Sequence, residues 1–67
     1  MLKELRSKLV EAVLYYQETQ RLTIHLTNGQ RREYVDVPNH VYNGLLTAKS
    51  PGEYYQNKIK PNFSLAE

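Results

Sequence analysis

The sequence contains no cysteine and no tryptophan, and only three glycines and three prolines among its 67 residues. Without cysteine there is no disulfide framework, no thiol nucleophile, and no Cys-based zinc or iron–sulfur site. A reducing compartment fits that absence, and the cytoplasm is the expected location. Long apolar runs are missing too. The longest, residues 12–16, falls far short of the roughly 20 needed to span a bilayer, and residues 1–8 carry charges too regularly for a secretion signal, so no membrane association is expected. Nor is there a large excess of one charge. Nine Lys+Arg against seven Asp+Glu give +2, so any nucleic-acid affinity must come from local clustering. A chain this short forms one domain that buries about 60% of its unfolded surface, so nearly every large apolar side chain is claimed by the core.

What is present reads as a folded α+β domain, with 40% hydrophobic residues and six tyrosines. Leu2, Leu5 and Leu9 with Val10 and Val13 recur at helical intervals, so residues 1–11 form either a short N-terminal helix or an extended arm docked by its leucines. Residues 13–16 are β-prone and end in the polar turn Gln17-Glu18-Thr19-Gln20. Leu22, Ile24 and Leu26 then alternate with polar neighbours, Asn28-Gly29 marks a hairpin turn, and residues 30–37 return. A two-residue type I′ loop is the preferred reading. It sets Leu22 opposite Val35, Ile24 opposite Glu33 and Leu26 opposite Arg31, and it puts His25, Arg32 and Tyr34 on the other face. A loop one residue longer would instead carry Arg32 and Tyr34 to the leucine face.

Two helices follow. Pro38 suits a first helical position, and Val41, Tyr42, Leu45 and Leu46 make the apolar stripe. Ser50-Pro51-Gly52-Glu53 has the form of a capping box, Tyr54, Tyr55 and Ile59 form the next stripe, and Pro61 ends it. The expected architecture is thus α+β: a three-stranded antiparallel β-meander followed by two short helices (β-β-β-α-α), spanning residues 12–60. Residues 61–67 form a tail anchored by Phe63 and Leu65.

The residues Tyr34-Val-Asp-Val-Pro38, Val41-Tyr42, Leu45-Leu46, Lys49-Ser-Pro-Gly52, Tyr54-Tyr55 and Asn57-Lys-Ile59, with Val13-Leu-Tyr-Tyr and Thr19-Gln-Arg-Leu22 before them, resemble the KTSC domain. That family is a small module at the C-terminus of some lysyl-tRNA synthetases, and it also occurs as stand-alone bacterial and phage proteins. The likeness covers residues 12–60, and its most specific parts are the Asp36-Val-Pro38 to Tyr42 junction and the Ser50-x-Gly52-x-Tyr54-Tyr55 segment. The family's central Tyr-x-Tyr falls on Arg32 and Tyr34, so only its second ring is kept. The resemblance carries no assigned catalysis, and the synthetase context implies RNA binding.

The residues themselves argue against an enzyme. The three serines are scattered, Glu33 and Asp36 point to opposite faces of one strand, and His25 and His40 have no third ligand, so neither catalytic residues, a metal nor a cofactor is expected. Nucleic-acid binding has a physical case in His25, Arg32 and Tyr34 on one sheet face, joined by Lys49, Lys58 and Lys60 around the second helix. The alternative is a protein-binding or self-associating module that uses the Leu2, Leu5, Leu9 stripe or an open edge at residues 12–16 or 30–37.

Overall fold

The computed structural model describes residues 2–5 and 7–66. Four strands, β1 (Leu2–Glu4), β2 (Val10–Tyr16), β3 (Arg21–Leu26) and β4 (Arg31–Tyr34), form one antiparallel sheet in the order β1-β2-β3-β4. Helices α1 (Asn39–Thr47) and α2 (Pro51–Tyr54) follow, and α2 runs on into a π-helical turn, Tyr55–Ile59. The fold is therefore α+β as expected, with four strands instead of three. The extra strand resolves the choice left open at the N-terminus. Leu2, Lys3 and Glu4 pair with Leu14, Val13 and Ala12, and no helix forms there. So short a segment cannot hold a helix by itself, whereas the edge of β2 offers it backbone hydrogen bonds at once.

The chain between β1 and β2 doubles back tightly. The Leu5 amide donates to the Glu11 carbonyl (2.9 Å), and the Ser7 amide donates to Val10 (3.2 Å). The β3–β4 loop clasps this bend from outside, with the Thr27 amide on the Leu9 carbonyl (2.9 Å) and its hydroxyl on the Lys8 carbonyl (2.8 Å). Strand β2 begins three residues before the β-prone residues 13–16 and carries a bulge between Val10 and Ala12.

The hairpin turn lies at Asn28-Gly29, but the two-residue register does not hold. Leu22 pairs with Tyr34, Thr23 with Glu33, Ile24 with Arg32 and His25 with Arg31. The Leu26 amide donates to the Gln30 carbonyl (2.8 Å) around a three-residue loop. Of its residues only Gly29 has a positive φ (90°), whereas a type I′ turn needs two; Asn28 instead accepts the Gln30 amide on Oδ1 (2.9 Å). This is a type I turn closed by a glycine bulge. A one-residue shift inverts every side chain of β4, so Arg32 and Tyr34 face the helices while Arg31 and Glu33 face away.

The core lies between the sheet and the helices. Val10, Val13, Tyr15, Leu22, Ile24, Leu26 and Tyr34 meet Val37, Leu45, Tyr55 and Ile59 there, with Leu5, Leu9, Val41, Tyr42, Leu46, Tyr54 and Phe63 packed around them. Tyr15 stacks on Tyr42 (centroids 4.4 Å apart, 13° between planes) and donates its hydroxyl to the Val37 carbonyl (2.7 Å). Tyr34 and Tyr55 meet edge to face at 5.9 Å. Burial raises the Tyr34 phenol well above its ordinary pKa, and the hydrogen bond to Tyr55 adds to the rise. Tyr15 is raised by burial and by Tyr42 beside it, and Tyr42 by burial.

Three local expectations need correction. Pro38 is the N-cap of α1, with ψ 156°, and the helix opens one residue later at Asn39. Ser50 caps α2 without a side-chain hydrogen bond, so the capping box does not form; Ser50 is exposed, and solvent can serve the first-turn amides. In the tail Phe63 packs against the core but the Leu65 side chain is exposed, and the backbone does the holding: Leu65 bridges to Tyr34, the Val35 amide donates to Ser64, and the Ala66 amide donates to Glu33.

Candidate functional site

The expected cluster on the sheet does not assemble. Tyr34 is 2% exposed and inside the core, so its ring is closed to a nucleobase. Arg32 shares the helix-side face with it, half-buried, and donates from Nη2 to Gln30 Oε1 (2.8 Å). His25 points to the opposite, open face beside Arg31. The register is the cause of both corrections, since it turned β4 over while β3 stayed as read.

The lysines behave differently. Lys49 and Lys58 line one shallow groove with Ser50, Glu53, Tyr54 and Asn57. Lys49, Ser50 and Glu53 also line a second groove, where Lys8, Ser7 and Leu9 form the opposite wall. The two grooves thus share a margin along the start of α2, and three ammonium groups border them with one carboxylate, Glu53. All three lysines are exposed. Lys60 borders neither groove.

Lys8 is the member that sequence reasoning missed. On a helix or arm it would be one solvated charge among several. The Thr27 clasp on its carbonyl, nineteen residues away in sequence, fixes it opposite Lys49. The approach of that wall to α2 depends on Gly52, where an added Cβ would stand 3.0 Å from Ser7 Oγ and 3.1 Å from Leu9 Cβ. On the other flank Tyr54 crosses α1 at Gly44 and donates its hydroxyl to the Val41 carbonyl (3.1 Å). Its hydroxyl is thereby occupied, while its half-buried ring lines the groove. Chemically the arrangement offers mobile cations and the Ser50 hydroxyl, which suits phosphates better than bases.

The features proposed for protein binding are also redistributed. Leu5 and Leu9 pack against the core while Leu2 lies on the open sheet face, so there is no leucine stripe. Residues 12–16 are interior to the sheet, and the tail covers part of β4. The open edge is β1, three residues long, and Lys3 blunts it against strand addition.

Among the described residues, no three His, Asp or Glu side chains come together to hold a metal ion, and no helix is long and apolar enough to cross a membrane.

The family model for the KTSC domain matches residues 6–63, so the likeness begins within the bend before β2 and runs to Phe63, beyond residues 12–60 at both ends. A protein from Tsukamurella paurometabola is 32% identical over 62 residues, which are 92% of each chain. The crystal structure of a KTSC domain protein from Yersinia pestis covers all of this chain and 94% of its own, with a TM-score of 0.93 at 19% identity. That last likeness is one of fold.

Proposed function

The chain belongs to the KTSC domain family, and from that premise we propose that it is a non-catalytic module binding single-stranded RNA by its phosphates along the two grooves around α2. The observation that carries this reading is Lys49, which borders both grooves with Lys8 across one and Lys58 across the other. Three lysines on one continuous path concentrate a charge that is small as a total. The residues most specific to the family point the same way by being otherwise engaged. Val37, Gly52, Tyr54 and Tyr55 are spent on packing, which leaves Ser50 and the periphery for binding. A path that bends around a single helical turn suits a flexible strand, and three lysines along it favour contact with the phosphate backbone.

The test is fluorescence anisotropy of a labelled RNA of about 12 nucleotides. Three phosphate contacts predict a slope of log affinity against log salt near −2, at ~0.7 per contact. Lys49→Glu should remove binding at low salt. No anisotropy change with the native protein, or undiminished binding by Lys49→Glu, would refute the reading.

A further inference from the structure

The face of the sheet turned away from the helices holds three cross-strand rows. Tyr16 and Arg21 make the first, Leu2, Leu14, Thr23 and Glu33 the second, and Glu4, Ala12, His25 and Arg31 the third. Two of its apolar members stand open, Leu2 at 56% and Tyr16 at 48% exposed, while Leu14 is half-buried and Ala12 is buried. The face carries charge at both margins. Glu4 lies at the β1 side and, with Glu11 of the bulge, rims a depression floored by Ala12. Arg21 of β3 and Arg31 of β4 bring positive charge, and Glu33 of β4, 3.2 Å from Arg21, offsets part of it. Within the third row the acid Glu4 at one margin and the base Arg31 at the other flank Ala12 and His25, so that row matches its own image after a half-turn.

We propose that two copies of this protein associate through these faces, about a two-fold axis running along the strands. That operation lays β1 over β4 and β2 over β3 of the second copy and keeps each row over itself. Glu4 then meets Arg31, and Ala12 meets His25 at the depression that both residues line. Leu14 covers Thr23, and the ring of Tyr16 lies against Arg21, each contact occurring twice. The weakest match is Leu2 over Glu33, whose carboxylate is already turned toward Arg21 at 3.2 Å. A second copy thus answers Glu4 with Arg31 at two places.

Four strands at ~4.8 Å spacing give a face only about 20 Å wide, below the ~800 Å² per partner of a standard interface, so the dimer is weak and concentration-dependent. It involves none of the groove lysines, so RNA binding and association are separable.

Sedimentation equilibrium of the full chain from about 10 μM to 1 mM should show a shift from monomer toward dimer. Glu4→Arg and Arg31→Glu should each weaken association about tenfold, and the double variant Glu4→Arg/Arg31→Glu should recover it. Both positions are exposed, so circular dichroism should show all variants folded. A monomer throughout the range, or a double variant no better than the singles, would overturn the proposal. Equal loss of RNA binding in Arg31→Glu and Lys49→Glu would overturn the separation of the two surfaces.

Discussion

The hydroxyls of Tyr34 and Tyr55 lie 2.8 Å apart in the core, each ring almost wholly buried, joining the last strand to the π-helical turn. Neither single replacement is benign, because each strands the other hydroxyl. Tyr34→Phe or Tyr55→Phe should cost about 1–2 kcal/mol, whereas the double Phe variant should lose little more than either single one. Urea denaturation in a double-mutant cycle checks this, and simple additivity would contradict it.

Alkali should unfold the protein through the same group. Tyr34 ionises at higher pH in the folded state than in the unfolded chain, so its contribution is intact below about pH 10 and is lost as pH rises beyond that. The unfolded state releases the proton first, with a slope of up to ~1.4 kcal/mol per pH unit from this residue. Tyr15 and Tyr42 shift in the same direction. Thermal melts from pH 8 to 11.5 should be flat at first and then fall, and Tyr34→Phe should flatten the fall.

Gly44→Ala pits helix propensity against a steric clash. Alanine favours a helix interior by ~1 kcal/mol, but the new Cβ would collide with the Tyr54 hydroxyl and sit 2.8 Å from its Cζ. The Val41 carbonyl holds that hydroxyl in place, so the collision wins and a net loss of about 1–3 kcal/mol is expected. Adding Tyr54→Phe should recover part of it in chemical denaturation.

Glu53 is the one carboxylate on the lysine grooves. Glu53→Gln should tighten RNA binding about two- to fivefold at low salt, with the gain fading as salt is raised. Weaker binding by this variant would mean that the RNA lies elsewhere.

Much of the fold is local and could be read as such. The alternation of Leu22, Ile24 and Leu26, the stripe of Val41, Tyr42, Leu45 and Leu46, and the turn at Asn28-Gly29 each rest on neighbours within a few residues. The register was not readable, because Asn-Gly serves a two-residue loop and a glycine-bulge loop equally well. What separates them is where Tyr34 finds burial, and its partner Tyr55 is 21 residues away. The N-terminus misled for a related reason: helical spacing of leucines carries little weight in a segment too short to hold a helix against an available strand. Of the candidate site, Lys49 and Lys58 could be read because they flank one short helical stretch. Lys8 could not, since only the Thr27 clasp places it.

Strand order in the sheet is the same as strand order in the sequence, and that has a kinetic consequence. Each strand finds its partner across a connection of a few residues, so little chain entropy must be lost before pairing begins to stabilise the structure. Helix α1 docks on the sheet through Tyr42 against Tyr15, and the distant closures are the seating of α2 against Ser7 and Leu9 and the docking of residues 64–66 on β4. Refolding on the order of milliseconds or faster is expected, with the hairpin forming before the tail attaches.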